Sequence, residues 1–340
     1  MPTIPHSYIQ TDTRLLSEYT DEEITNFIWY SKIELRPGIY TQSFFSHKND
    51  DVGVYPISMI RHLLKNINPK ELTCLDFGTM NGVLPTLLAK RGGKVYSQES
   101  MPEYYATVNL VREAYNVNFV YDYNSSLFDL KKKYKNDTFD IVLFCGFFYH
   151  LINPFIEFAI ARSFVAPGGL LIFETRVSSE KDCTIKFCES PGFVSTPSIS
   201  FLEKMCCIFS LKPIDMVYIG DKRADFRVAF VCRAVTSPAL SLDNEHEKGL
   251  WWNIAGKLPF AKIDNVQVVD EYQFHTNKPL ETTIPYCLAN ARNLVSEEAN
   301  HDSSRLSDDI GISLTKTLEI QPTGETFIKP KEILRLSDEW

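Results

Sequence analysis

The segment from Leu72 to Ala89 constrains the fold more than any other part of the sequence. An apolar strand, ELTCLDFG over 71–78, runs directly into a loop with two glycines and then a helix. Glycines let the backbone approach a ligand closely, and a helix N-terminus offers unpaired amides. The next strand, KVYSQES over 94–100, ends near Glu99, whose carboxylate is suited to accept hydrogen bonds from ribose hydroxyls. This order of elements predicts a domain that binds a nucleoside.

The alternation of apolar strands with helices continues as far as residue 235. It predicts a seven-stranded, mostly parallel α/β sheet of the Rossmann-like class, in which two final strands form an antiparallel hairpin. Those strands are PIDMVYIG over 213–220 and DFRVAFVCRAV over 225–235. Three regions follow from this pattern: an N-terminal cap or lid over 1–70, a catalytic domain over 71–236, and a β-rich C-terminal extension over 237–340. The extension is predicted to be a lid, a substrate wall or a dimer arm.

Composition narrows the choice of partners. The 340 residues carry a formal net charge of −8, which argues against the basic surface that nucleic acids need. No apolar run is long enough to cross a membrane, and the N-terminus lacks the layout of a signal peptide. We therefore expect a cytoplasmic protein with a small-molecule substrate, for which a homodimer is allowed.

Cysteine spacing gives no sign of a metal site. Cys183 and Cys188 are five residues apart and Cys206 and Cys207 are adjacent, so neither pair forms the C-x2-C arrangement of a zinc knuckle. The sequence predicts no metal.

The loop resembles the first motif of the class I S-adenosylmethionine (SAM) dependent methyltransferases. That motif is usually written Asp-x-Gly-x-Gly-x-Gly, and Asp76, Gly78 and Gly82 match it, whereas Met80 stands at the middle glycine. A P-loop is disfavoured because no Lys-Ser/Thr follows. A nicotinamide-binding Rossmann enzyme remains an alternative, since the loop is an imperfect match to that fingerprint too.

Further residues resemble one branch of the family, which includes the tRNA wobble-uridine carboxymethyl-transfer enzymes and several natural-product methyltransferases. The shared signature comprises Gly146, Tyr149-His150-Leu151, the turn Pro167-Gly168-Gly169, and Glu174-Thr175. The stretches IWYSKIELRPGIYT and STPSISFLEKM resemble that branch as well. The resemblance covers about 28–235 and says nothing about the remaining tail.

The resemblance implies a set of residues that bind SAM. It assigns Asp76, Gly78, Thr79 and Gly82 to the methionine end, Glu99 to the ribose, Met101 to one adenine face, and Asn124, Ser125 and Ser126 to the adenine edge. Met80, Ser100 and Cys145 adjoin these positions and are included as cofactor-binding candidates. Each position has an ordinary structural alternative, such as a turn glycine or an exposed strand-end acid.

Tyr149 and His150 are the catalytic candidates. They follow the fourth strand, at the carboxyl edge of the sheet where open α/β folds bind ligands. An imidazole there is able to take a proton from an amine or hydroxyl, and a phenol is able to lie over the sulfonium. A general base is optional, because SAM already carries a good leaving group and alignment is the main demand.

Five residues are candidates for substrate binding. Glu174 and Arg176, at the end of the fifth strand, are predicted to bind a substrate amine and carboxylate respectively. Trp29, Tyr30 and Tyr40 are predicted to cover the site and exclude water. A surface ion pair and plain aromatic packing are the corresponding structural alternatives.

The sequence favours a SAM-dependent methyltransferase acting on a small molecule, such as an amino acid or natural-product intermediate, by in-line transfer to N or O. Three alternatives stay open. They are a cyclase that releases methylthioadenosine and a small cyclic amino acid, a tRNA-modifying carboxymethyl transferase, and a SAM-binding protein without enzymatic activity.

Overall fold

The computed structural model describes residues 14–43, 54–134, 137–178, 183–187, 194–209, 211–219, 227–234 and 335–337. The predicted C-terminal extension falls almost entirely outside the described residues. The N-terminal segment begins with α1 (Asp21–Asn26), β1 (Glu34–Arg36) and β2 (Ile39–Tyr40). Thr20 caps α1 and forms a reciprocal capping box with Glu23, because the first helical amides have no intrahelical acceptors.

The remaining elements alternate strand and helix over most of the chain. In order they are α2 (Val54–Leu63), β3 (Thr73–Phe77), α3 (Val83–Lys90), β4 (Lys94–Gln98), α4 (Tyr105–Ala114), β5 (Val120–Asp122), α5 (Leu127–Lys133), β6 (Phe139–Cys145), α6 (Pro154–Ser163), β7 (Val165–Arg176), β8 (Ile185–Phe187), β9 (Ser195–Pro197), α7 (Ile199–Ile208), β10 (Leu211–Ile219) and β11 (Arg227–Ala234).

The central sheet has seven strands in the order β10-β11-β7-β6-β3-β4-β5. Strands β7, β6, β3, β4 and β5 are parallel, whereas β11 pairs antiparallel with both β7 and β10. The predicted fold class and terminal hairpin are confirmed. Because β4 lies on one side of β3 and β6 lies on the other, the strand order reverses at β3, and open α/β sheets bind ligands at such a point.

Buried side chains form one apolar layer on each face of the sheet. Helices α5, α6 and α7 cover one face, where Phe144, Phe158 and Phe173 pack edge-to-face or stacked. Helices α2, α3 and α4 cover the other. A third cluster joins the N-terminal segment to α4 through residues such as Trp29, Ile33 and Leu110. The N-terminal segment is therefore packed against the domain that carries the sheet.

Candidate active site

The glycine loop leaves β3 and turns sharply into α3. Gly78 has φ +65°, Met80 φ +50° and Gly82 φ +78°, so the backbone is left-handed at three alternate positions. A side chain on Gly78 would begin 3.1 Å from the ring of Phe147, and one on Gly82 would begin 3.3 Å from Val108. Glycine is thus favoured at these two positions by conformation, and a Cβ would force a small shift of Phe147 or Val108.

Met80 adopts the left-handed conformation that glycine has in the family motif. This conformation costs a residue with a Cβ roughly 1–2 kcal/mol. Its side chain is half-buried against the α2–α3 layer, and its amide donates to Oε2 of Glu99 at 2.8 Å. The loop therefore accommodates a methionine at this position in a left-handed conformation.

Asp76 lies at the floor of this loop with its side chain fully buried. Neither carboxylate oxygen lies within good hydrogen-bond geometry of a donor among the described residues. Burial raises the pKa of Asp76 to about 8, against a lowering influence of the nearby Thr79 hydroxyl. A buried carboxyl without an internal cation is suited to neutralise a cationic group on a ligand.

Glu99 follows β4 and is almost fully buried. Its Oε1 accepts from the amides of Ser100 at 2.8 Å and Met101 at 2.9 Å, and its Oε2 accepts from the amide of Met80. Burial raises the pKa of Glu99, while these three amides lower it. An ionised carboxylate offers about four acceptor positions, so Oε2 retains capacity for a hydroxyl donor.

The predicted adenine-contacting residues lie after β4 and β5. Met101 is 46% exposed, and Ser100 and Asn124 are also exposed. The Ser125 amide donates to the carbonyl of Glu99 at 3.0 Å, whereas the Ser126 hydroxyl caps α5 by accepting from the amide of Asp129. Ser100, Met101 and Ser125 therefore lie next to Glu99. Ser126 also has a structural role, because it caps α5.

A cleft that is open to solvent lies between the carboxyl ends of β3 and β6. Of the predicted residues, Tyr30, Gly78, Thr79, Met80 and Cys145 line it. The other lining residues are Ser31, Ile57, Asn81, Val83, Leu84 and Gly146. The cleft therefore joins the glycine loop to the residues that follow β6 and to the N-terminal segment.

A buried ion pair lies next to this cleft. Arg227, at the start of β11, binds Glu174 with Nε to Oε1 at 2.7 Å and Nη2 to Oε2 at 3.0 Å. The same Nη2 donates to the phenol oxygen of Tyr149 at 3.2 Å. Burial alone would lower the pKa of Arg227, but the Glu174 carboxylate raises it well above its ordinary value. We call Arg227, Glu174 and Tyr149 the Arg227 cluster.

Gly146 separates the Arg227 cluster from the cleft. A side chain on Gly146 would begin 3.7 Å from the phenol oxygen of Tyr149 and 3.8 Å from Oε2 of Glu174. Tyr30, on the cleft wall, interacts electrostatically with all three members of the cluster, and burial is the main cause of its raised pKa. The absence of a side chain at 146 thus leaves the two oxygens close to the cleft.

The two catalytic candidates differ in their surroundings. Tyr149 is buried, whereas His150 is exposed. Their ring centroids are 4.3 Å apart, and both belong to the short 3-10 helix Phe148–His150. Chain folding brings Tyr149, and not His150, into hydrogen-bond contact with Arg227.

Four predicted substrate residues, Glu174 among them, do not line the cleft. Trp29 is fully buried and its indole donates to the carbonyl of Ile24 at 2.6 Å, which favours the packing alternative. Tyr40 lies in the β1–β2 hairpin beside Lys32. Arg176 is half-buried, with its guanidinium carbon 6.0 Å from the Tyr149 ring centroid.

Glu174 has a partner that the sequence analysis did not foresee. Both the predicted role, binding a substrate amine, and its alternative, a surface pair, assumed an accessible carboxylate. The side chain is instead fully buried and its charge is compensated by Arg227. One signal in the sequence pointed to this partner, namely an arginine at the start of the largely apolar strand RVAFVCRA.

Comparisons with known proteins bear on the same part of the chain. Residues 54–206 match the sequence model of a family described as the methyltransferase domain. The match covers less than half of the chain, and it supports a SAM-dependent transferase with a methyltransferase domain at 54–206.

The methyltransferase is also similar in structure to several solved proteins. The N-methyltransferase NodS from Bradyrhizobium japonicum is 15% identical, with a TM-score of 0.41 over 52% of this chain and 84% of that one. The 1,6-didemethyltoxoflavin-N1-methyltransferase from Burkholderia thailandensis is 14% identical, with a TM-score of 0.45 over 55% and 83%. The N-terminal domain of EvdMO1 is 16% identical, with a TM-score of 0.49 over 68% and 100%. A search of curated proteins gave no match.

The residues of the methyltransferase site fit SAM as the cofactor. Gly78 presents backbone to the cleft, Asp76 provides a buried carboxyl without an internal cation, and Glu99 retains acceptor capacity toward a ribose. These groups would hold the methionine end and the ribose respectively.

The described part of the chain contains no cluster of three or more His, Cys, Asp or Glu residues arranged to hold a metal ion. Within the same residues, no helix combines the length and apolarity that a membrane span requires.

Proposed function

We propose that this methyltransferase transfers a methyl group from SAM to a nitrogen or oxygen atom of a small molecule. The observation that carries the proposal is the cleft, because it joins the glycine loop to Gly146 and so to the buried oxygens of Tyr149 and Glu174. A concave site lined by apolar side chains and a few polar groups is typical of small-molecule binding.

Asp76 and Glu99 are proposed to orient the cofactor. SAM supplies a methyl group on a positively charged sulfur. The Asp76 carboxylate would compensate positive charge at the methionine end, and Glu99 Oε2 would accept from a ribose hydroxyl while the amides of Ser100, Met101 and Met80 keep the carboxylate in place. A cofactor held in one geometry favours methyl transfer, because the acceptor atom, the methyl carbon and the sulfur are then kept in line.

Tyr149 is proposed to contact the acceptor. Its oxygen accepts from Arg227, so the phenol proton points away from the guanidinium and the ring is held in one orientation. A hydroxyl or unprotonated amine that approaches past Gly146 would meet this phenol and Oε2 of Glu174. His150, whose exposed ring is tilted beside that of Tyr149, is proposed to accept the proton that the acceptor releases and to pass it to water.

The surface charge supports a small acceptor. The net charge of −8 is unfavourable for binding a polyanion such as tRNA. Within the Arg227 cluster the two formal charges cancel, which suits an acceptor that is neutral at the reacting atom.

The experiment is incubation of the full chain with methyl-labelled SAM and a fractionated library of small alcohols and amines. We expect S-adenosylhomocysteine (SAH) and one labelled product to appear together. Tyr149→Phe, which removes only the phenol oxygen, should lower product formation about 10- to 100-fold, the range for a hydrogen bond to a reacting or charged group.

Two outcomes would overturn the proposal. Release of methylthioadenosine from SAM alone would show the cyclase reaction instead. Binding of SAM without SAH or product in any fraction would indicate a binding protein.

A further inference from the structure

The N-terminal residues that line the cofactor cleft lie outside the matched methyltransferase domain. Tyr30 and Ser31 form part of the cleft wall, whereas the family match begins at residue 54. A direct contact between residues 28–31 and the glycine loop is therefore needed to hold this part of the cleft wall in place.

Asn81, in the glycine loop, makes that contact with a single buried side chain. Its Oδ1 accepts from the backbone amide of Tyr30 at 2.6 Å, and its Nδ2 donates to the carbonyl of Ile28 at 3.0 Å. The same Nδ2 donates to the hydroxyl of Thr107 in α4 at 3.0 Å. One amide group thus joins the N-terminal segment, the loop and a helix of the domain.

The N-terminal segment is held from its other side as well. The Ser43 hydroxyl donates to the carbonyl of Tyr30 at 2.9 Å, and the Thr41 hydroxyl donates to the carbonyl of Ser31 at 2.8 Å. These bonds fix the segment internally. They do not reach the loop, so they cannot align the segment with it.

We propose that Asn81 is a positioning residue that latches residues 28–31 against the glycine loop, so that cofactor binding and ordering of this segment are coupled. Asn81 stands between Met80, whose amide orients Glu99, and Gly82, which begins α3. A cofactor that rests on the loop stabilises the conformation in which Asn81 faces Tyr30. By linkage, the latched segment in turn strengthens cofactor binding.

The test measures hydrogen exchange of residues 28–33 in the full chain, with and without SAH, together with the dissociation constant for SAH. In the unsubstituted protein SAH should slow exchange of the Tyr30 amide, although this residue precedes the matched domain. Asn81→Ala should weaken SAH binding about tenfold, since it removes buried hydrogen bonds from groups that remain. It should also abolish the effect of SAH on exchange at residues 28–33.

Two control variants separate the latch from a general loss of packing. Thr107→Val removes the bond to α4 but leaves both bonds to the N-terminal segment. Ser43→Ala removes a bond to Tyr30 that does not involve the loop. Both should keep the SAH-dependent protection and bind SAH within about threefold of the unsubstituted chain.

The outcomes distinguish this inference from the proposed function, on whose cofactor site it rests. If SAH binds but exchange at residues 28–33 is unchanged in the unsubstituted protein, or if Thr107→Val loses protection as Asn81→Ala does, the latch is overturned while methyl transfer stands. If Asn81→Ala fails to fold, the effect of SAH on exchange at residues 28–33 in the unsubstituted protein tests the latch by itself. If the latch is observed but no acceptor is methylated, only the proposed function falls.

Discussion

Asp76 and Glu174 are both fully buried carboxyl groups near the carboxyl edge of the same sheet, and their surroundings are opposite. Glu174 is bonded by two nitrogens of Arg227, whereas the oxygens of Asp76 have no hydrogen-bond partner among the described residues. A buried charge is tolerated when it is paired and otherwise shifts its pKa. The difference indicates that the charge of Glu174 is compensated within the protein, whereas the charge of Asp76 requires a ligand to compensate it.

The largest effect is expected from a variant that removes the cationic partner of Glu174, so that Glu174, like Asp76, is a buried carboxyl without a cation beside it. Arg227→Met should destabilise the protein by about 3–5 kcal/mol, because it leaves an uncompensated buried carboxylate. The measurement is denaturant unfolding of the full chain. The double variant Arg227→Met/Glu174→Leu should recover much of the loss, and a single-variant loss below about 1 kcal/mol would contradict a tightly paired cluster.

A second test blocks the way from the cleft to the cluster. Gly146→Ala places a methyl group 3.7 Å from the phenol oxygen of Tyr149 without a clash, so it should lower methyl transfer to the identified acceptor roughly 10- to 100-fold, as expected for loss of a polar contact. The measurement is kcat/KM together with the dissociation constant for SAH, which should stay within about threefold.

Gly38→Ala is the matched control for this variant. Gly38 has φ +79°, comparable to φ +69° at Gly146, and no atom lies within 4 Å of its added carbon. It carries the same backbone strain, of about 1 kcal/mol, at a position outside the cleft. Equal loss of transfer in both variants would mean that strain, and not access to the cluster, causes the effect.

A third test uses pH to probe Asp76. Its pKa is about 8 in the free protein, and a cationic ligand favours the ionised form, so binding must release a proton below pH 8. SAM affinity should therefore rise as the pH increases from 6 to 8. A rise of about tenfold corresponds to a fall of one unit in the pKa of Asp76 when SAM binds. Calorimetry in buffers of different ionisation enthalpy measures both the affinity and the proton release. Asp76→Asn should flatten the profile; an unchanged slope in that variant would assign the dependence to another group, such as Glu99.

The smallest effect is expected at Met80. Because this residue already adopts φ +50°, Met80→Gly should relieve about 1 kcal/mol of backbone strain and lose a comparable amount of side-chain packing. Thermal unfolding and SAH binding should both change little. A tenfold change in SAH affinity would show that the Met80 side chain, and not only its backbone, contributes to the cofactor site.

The sequence predicted the cofactor side of the site better than the acceptor side. The loop over 76–82 and Glu99 are close in sequence, and their geometry follows from local rules of strand, turn and helix, so the sequence and its family resemblance placed Gly78, Thr79 and Met80 together in one loop. The Arg227 cluster joins residues 149, 174 and 227, and Asn81 joins residues 28, 30 and 107. No spacing in the sequence indicates such pairs.

The sequence could not show which of the predicted aromatic residues are buried and which reach the cleft. An aromatic residue near a site is equally suited to cover a ligand or to pack, and only the structure shows that Tyr30 lines the cleft while Trp29 is enclosed between the N-terminal segment and α4. The same holds for Tyr149 and His150, which are neighbours in sequence but differ in exposure.

The sequence by itself determined the class of fold, the position of the cofactor loop and the antiparallel hairpin, because hydrophobic periodicity and glycine placement act over short stretches of chain. Tertiary structure alone decided which charge Glu174 would compensate, which residues would lie behind Gly146, and how residues 28–31 would reach the loop. These depend on strands β7 and β11 lying side by side and on the N-terminal segment folding back over α4, and such long-range contacts are set by the packing of the whole sheet and its helices.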